Sequence, residues 1–172
     1  LARRITIPKG QFNRAMFNDQ GGVFAAVCSE SDSLEGRNPS AVIIDEYHVH
    51  PDSSVRDALE FGMGARRQPL TMILTTAAEE DPTNPCNIEV DQARQIRDGL
   101  LENQKYMPVI FEADEKDDWK DPEIWKKANP SIGQTITLES VRDEFDKAKG
   151  NLSREMAFKR YRLNRPAAKS KG

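Results

Sequence analysis

Four short runs of apolar residues punctuate the chain: GVFAAVC at 22–28, AVIIDE at 41–46, TMILTTA at 71–77 and MPVIFEAD at 107–114. Each mixes β-branched residues with flanking turn signals, which predicts strands rather than helices. Val42, Ile43 and Ile44 are apolar on consecutive positions, so both faces of that strand are expected to be covered, as in a parallel sheet sandwiched by helices. Between the second and third runs, Asp52 and Ser53 offer an N-cap, and Val55, Ala58, Leu59 and Met63 recur at helical spacing. Between the third and fourth, Ile88, Ala93, Ile96, Leu100 and Leu101 form a similar stripe. Strand, helix and strand in succession, twice over, predict α/β architecture.

The rhythm changes after Asp114. An acidic loop leads to a short helix around Trp125, and NPSIG then breaks the chain with its Pro and Gly. Thr137 is placed to cap a helix carrying Leu138, Val141, Phe145 and Ala148 on one face, with Gly150 as its stop. Ser153 is placed to cap a last helix running to about Leu163. Residues 1–114 are therefore expected to form an α/β body, and 115–172 a small helical subdomain or linker with a basic tail.

Composition narrows the class. The chain has 172 residues, 37% hydrophobic and 31% charged, which fits a globular protein with a solvated surface and not a disordered or membrane chain. No run reaches the length of a membrane span and LARRITIPKG lacks a signal-peptide core, so a cytosolic protein is expected. Cys28 and Cys86 have no partners at metal-binding spacing and read as ordinary thiols. The net charge of −3 conceals a basic end, where Arg154, Lys159, Arg160, Arg162, Arg165, Lys169 and Lys171 stand against Glu155 alone. Such a tail can meet nucleic acid or acidic protein.

The candidate chemistry lies at the end of the second strand, where Val42-Ile43-Ile44 runs into Asp45 and Glu46. Acids at the carboxyl end of a parallel strand face the crevice where α/β sheets bind ligands. In P-loop ATPases an Asp so placed helps hold Mg2+ on the phosphates of ATP, and an adjacent Glu can orient and deprotonate the attacking water.

The stretch from Ser31 to Ala77 resembles the large terminase subunit of tailed bacteriophages in its ordered NPS, apolar strand, DE, GMGARRQPL and TTA, and with KANPSIG and FKRYRLN the likeness spans from about Val23 to Asn164. The resemblance implies a partial P-loop NTPase-like core, the C-terminal part of an ATPase domain at 1–114, and at 115–172 a helical link toward a nuclease domain beyond Gly172. Asp45 and Glu46 would be the Walker B acids, with Asp45 on Mg2+ and Glu46 as catalytic base. Thr75 and Thr76 match the coupling motif that senses the γ-phosphate, although Ala77-Ala78 stands where the family often has Ala-Gly. Arg37 falls where some terminases place an arginine finger, and Arg66 and Arg67 compete for that role. The implied cofactors are ATP and Mg2+. The implied partners are double-stranded DNA, the portal protein, the small terminase subunit and further copies in a ring, working in the host cytoplasm at the prohead.

Other features have plainer readings. His48 and His50 would ligate a metal given a third ligand, and otherwise line the turn after the strand. Asp114, Glu115, Asp117, Asp118 and Asp121 imitate a two-metal site but read as a solvated loop, and Trp119 and Trp125 read as packing rather than base-stacking residues. The phosphate loop GxxxxGK[ST] does not occur, and the resemblance places it before Leu1. These residues are thus expected to belong to a longer polypeptide, to bind ATP poorly alone and to cut no DNA. The alternative is a non-catalytic ATPase-like module that docks DNA or protein through its basic tail.

Overall fold

The computed structural model describes residues 5–6, 14–17, 21–27 and 34–166. Cys28, Lys169 and Lys171 lie outside the described residues. The chain divides into two compact units: one holds the chain up to Val42 together with Ser54–Leu70, and the other holds Ile43–Ser53 and everything from Thr71.

In the first unit, β1 (Ile5–Thr6), β2 (Arg14–Phe17) and β3 (Gly22–Ala25) form an antiparallel sheet in that order, with Arg14 opposite Ala25 and Phe17 opposite Gly22. The strand expected at 22–28 thus exists, but not as a buried parallel strand. Only residues 18–21 join Phe17 to Gly22, too few for a parallel crossover, and Val23 and Phe24 stand exposed. Helix α1 (Ser54–Gly62) continues into a 3-10 turn at Met63–Ala65, and it buries Leu59 and Met63 from the expected stripe. Its last residue sits so close to the Arg37 loop that a Cβ on Gly62 would lie 2.2 Å from the Arg37 carbonyl oxygen.

The division between units falls inside two paired strands, β4 (Ala41–Ile44) and β5 (Leu70–Ile73). Leu70 N–H donates to the Ser40 carbonyl (3.2 Å) and Leu74 N–H to the Ile44 carbonyl (2.8 Å). Donor and acceptor are equally far apart along the chain in both bonds, so the strands run parallel, as expected. Val42 and Ile44 are buried, but Ile43 is 54% exposed. The expectation that both faces of this strand are covered therefore fails: among the described residues one face stays open, and Met72 on β5 is exposed as well.

The second unit contains α2 (Pro85–Arg97), α3 (Pro122–Ala128), α4 (Leu138–Ala148) and α5 (Leu152–Leu163). Asn84 caps α2 by accepting from Cys86 N–H, and Pro85 occupies the first turn, where a missing N–H costs nothing. The helix stops at Arg97, short of Leu100 and Leu101, because Gly99 turns the backbone to φ 73°; Leu100 is left exposed.

The strand expected at 107–114 joins no ladder among the described residues. Met107, Val109 and Phe111 are exposed in alternation with less exposed neighbours, the period of an extended chain without a strand beside it. Its backbone bonds go instead to the end of α5: Ala113 N–H donates to the Leu163 carbonyl, and the Asn164 side-chain amide donates to the Phe111 carbonyl.

The three C-terminal helices pack around Trp125, Val141, Phe145, Ala148, Phe158 and Leu163, with Trp119 edge-on to Phe145 and Phe158. Both tryptophans are packing residues, and the Trp125 indole N–H donates to the Trp119 carbonyl (2.8 Å). Asp121 and Thr137 cap α3 and α4. The cap of α5 is Asn151, accepting from Arg154 N–H, and not the expected Ser153. Gly150 at φ 73° stops the previous helix so abruptly that the next begins two residues earlier than the Ser signal places it. No helix of the described residues is long and apolar enough to cross a membrane.

Candidate active site

The end of β4 is built to turn. Asp45 accepts a hydrogen bond on Oδ1 from the following N–H, that of Glu46 (3.0 Å), and Glu46 adopts a left-handed conformation, φ 53° and ψ 45°. For a residue with a Cβ that conformation costs roughly 1–2 kcal/mol, and it directs the chain straight into the 3-10 turn Tyr47–Val49. Tyr47 is fully buried, and its N–H donates to the Leu74 carbonyl (3.2 Å), so the turn is pinned to the end of β5. Both acids are thereby held just beyond the buried pair Val42 and Ile44, with their carboxylates toward solvent.

The end of β5 answers it. Thr75 Oγ accepts from His48 N–H (2.9 Å) and donates to the Thr76 carbonyl (2.9 Å). The His48 ring reaches three oxygens through one atom: Nδ1 lies 3.2 Å from Glu46 Oε2 and 3.4 Å from each of the Thr75 and Thr76 hydroxyls. Glu46 and the Thr75-Thr76 pair are therefore joined through a histidine that sequence reasoning offered only as a metal ligand or a turn residue. Behind Thr75 lies Cys86, wholly buried, with Sγ 3.5 Å from the threonine hydroxyl. Burial pushes its thiol pKa up, against the opposing effect of its hydrogen-bond contact with Thr75. The Asn84-Pro85 capping pair is the sequence signal that could have placed Cys86 at this helix start.

Arg160 of α5 completes the surroundings. Its Nε donates to the Ala77 carbonyl (3.0 Å), and its guanidinium lies 3.5 Å from Glu79. Arg160 is 83 residues from Ala77 in sequence, and no local pattern announces the contact. His48, Glu79, Asp81, Asn84 and Arg160 line a cleft of about 310 Å³. Ala78 is buried at 1% exposure and is not among the described non-glycine residues with positive φ, so the turn takes alanine without left-handed strain.

The arginines expected to compete as finger all belong to the other compact unit. Arg37 is exposed in the loop before β4, and the guanidinium of Arg66 holds the Asn38 carbonyl one residue on. Arg67 is exposed.

As for a metal, no cluster of three or more His, Cys, Asp or Glu that could cage an ion occurs among the described residues, so neither the HxH pair nor the acidic loop forms such a site. His50 lies against the Tyr47 ring, and Asp114 and Asp117 bind Lys127. A single strand-end carboxylate such as Asp45 suits Mg2+, which keeps most of its waters and takes one or two carboxylates together with phosphate oxygens.

Comparison with known proteins bears on what this arrangement serves. Residues 14–95 match the model of the terminase large subunit ATPase domain, a span that includes both strand ends. The chain is 35% identical over 130 residues to the protein YmfN of Escherichia coli K12, covering 76% of this chain and 28% of that protein. It is 26% identical over 143 residues to the terminase large subunit of Enterobacteria phage HK97, covering 82% of this chain and 27% of that one. The crystal structure of the HK97 large terminase superposes with a TM-score of 0.80 at 22% identity, over 96% of this chain and 33% of that chain.

The chain belongs with the terminase large subunits. It spans about a third or less of the length of the relatives it matches. The fold is that of a large terminase across nearly all of its length, an α/β arrangement with a small parallel sheet and attached helices. The terminase likeness includes the C-terminal helices, whose basic residues are largely engaged within the chain. Besides Arg160, Arg162 pairs with Glu144, Arg165 donates to the carbonyls of Ala113 and Asp117, and Lys159 lies over the Trp119 ring.

Proposed function

We propose that this chain supplies the metal-and-water half of the ATP-hydrolysis site of a terminase large subunit, whose hydrolysis drives double-stranded DNA into a prohead. Asp45 would hold Mg2+, which when bound draws charge from the terminal phosphates. Glu46 acts as the base: its carboxylate stands at the strand tip, free to accept a proton from water entering beside the phosphate. Thr75 and Thr76 present hydroxyls at the tip of the parallel neighbour, where a γ-phosphate oxygen can take their hydrogen bonds. Arg37 is the proposed finger, with Arg66 and Arg67 as its competitors. The region to residue 114 serves the ATPase, and 115–172 links it toward a nuclease. The implied partners are the portal, the small subunit and further copies in a ring, acting in the host cytoplasm.

The observation that carries this reading is the convergence of two parallel strand ends: Glu46 of one and Thr75 and Thr76 of the next meet on a single histidine nitrogen. A strand that ended in acids only to solvate a turn would not need that link. In the full-length subunit, Glu46→Gln should reduce ATP turnover by two orders of magnitude or more while nucleotide binding persists, since the amide keeps the shape but cannot take a proton. Steady-state hydrolysis beside fluorescent-nucleotide binding reads both quantities. Turnover near wild type in the variant would refute the assignment.

A further inference from the structure

We infer that His48 is a positioning residue, which fixes the Glu46 carboxylate relative to the Thr75 and Thr76 hydroxyls and so ties the water-activating group to the phosphate-sensing pair. The inference rests on the reading of Glu46 as base given above.

The two residues differ in how firmly they are held. The Glu46 side chain is 60% exposed, and a glutamate so open to water samples several rotamers unless something selects one. The His48 side chain is only 11% exposed, and its backbone is anchored at both levels of the site: its own N–H donates to Thr75 Oγ, and Tyr47 N–H beside it donates to the Leu74 carbonyl. The imidazole is therefore a fixed post and the carboxylate a movable arm.

Hydrogen-bond chemistry assigns the ring its role. A carboxylate accepts only, so the contact at 3.2 Å requires the proton on His48 Nδ1. Thr75 Oγ already donates to the Thr76 carbonyl, so toward Nδ1 it is an acceptor too. One N–H thus faces Glu46 and the threonines at once, with the carboxylate nearest. When a phosphate oxygen draws the threonine hydroxyls toward itself, the donor is left to Glu46 alone. Phosphate occupancy at β5 is in this way conveyed to the direction of the base at β4 without any movement of the strands. Displacing a reacting group by about 1 Å can cost on the order of a hundredfold in rate, so loss of the post should be felt in the chemical step and not in nucleotide affinity.

The test compares three substitutions in the full-length subunit with Glu46→Gln as reference. His48→Ala should lower kcat for ATP about tenfold or more at an unchanged KM. His48→Asn carries its amide N–H near the Nδ1 position and should recover most of that loss, whereas His48→Gln presents its donor near Nε2 and should not. Melting temperatures of the Asn and Gln variants should agree, which separates positioning from folding even if the Ala variant is unstable. Wild-type kcat in His48→Ala, with Glu46→Gln inactive, would overturn the positioning role and leave the base intact. Equal loss in Asn and Gln would overturn it too, as would a recovery that merely follows stability. An active Glu46→Gln would overturn both readings.

Discussion

Gly62 illustrates how a single missing Cβ can set the place of a charge. A methyl group there would lie 2.2 Å from the Arg37 carbonyl, an approach that a backbone atom cannot relieve by rotating. The loop carrying Arg37 is accordingly drawn against the end of α1 at a distance only glycine permits. Gly62→Ala should displace that loop and destabilise the protein by roughly 1–3 kcal/mol, the usual cost of overpacking, despite the better helix propensity of alanine. Chemical denaturation would register the loss. Stability at or above wild type would show that the loop moves freely and that Gly62 does not position Arg37. The residues proposed for the site follow a similar logic of near neighbours. Asp45 and Glu46 are legible in sequence because an apolar strand announces where it ends. Thr75 and Thr76 are legible only through family likeness, since threonine is an ordinary strand residue. Nothing local tells that His48, two residues past Glu46, would turn back to meet them; that depends on Glu46 adopting φ 53°, a conformation sequence patterns do not predict.

Among the elements, helices were more legible than strands, for a physical reason. Helices α1 and α4 follow their apolar stripes, α4 takes the expected Thr137 cap, and α3 forms around Trp125 as expected, because a helix closes its own hydrogen bonds. A strand exists only by virtue of a partner elsewhere in the chain. The run at 107–114 has the composition of a buried strand, yet its backbone is spent on the end of α5 and on the approach to Glu112. That acid, 8% exposed, receives Arg94 on both oxygens (2.6–3.2 Å) and Arg97 on Oε1 (3.0 Å), so it fastens this extended segment to α2. Burial pushes the Glu112 pKa up, but the hydrogen bonds and charges of Arg94 and Arg97 together outweigh it and hold the carboxyl below its ordinary value. A folded-state pKa below the unfolded one contributes stability that is present above the unfolded value and is lost as pH falls through the folded one. Stability should thus decline as pH drops below the ordinary carboxylate range, and Glu112→Gln should flatten part of that decline while lowering stability at neutral pH, since both arginines lose their counter-charge. Urea denaturation of the two proteins across acid pH measures the difference. Parallel profiles would mean that other carboxylates govern the acid response.

For the molecule as a whole, the question is how much of a nucleotide site these residues make by themselves. They present one carboxylate suited to Mg2+, a second suited to water and two hydroxyls. What gives an ATPase most of its grip on triphosphate is a row of backbone N–H groups with a lysine, and no Gly-Lys-Ser or Gly-Lys-Thr occurs in the sequence. Two exposed carboxylates facing a tetra-anion offer repulsion except where Mg2+ intervenes, and the free-energy requirement is steep: a micromolar complex needs about −8 kcal/mol. The exposed residues Ile43 and Met72 beside the site add apolar surface, which can cover a neighbouring element but cannot neutralise phosphate. Titration of these 172 residues with Mg·ATP should therefore yield heats close to dilution, whereas the full-length subunit under the same conditions should bind. A micromolar dissociation constant for the 172-residue chain would mean that the two strand ends already form a sufficient phosphate site, and Asp45 and Glu46 would then have to be reassigned from metal and water to some more complete arrangement of cations around the nucleotide.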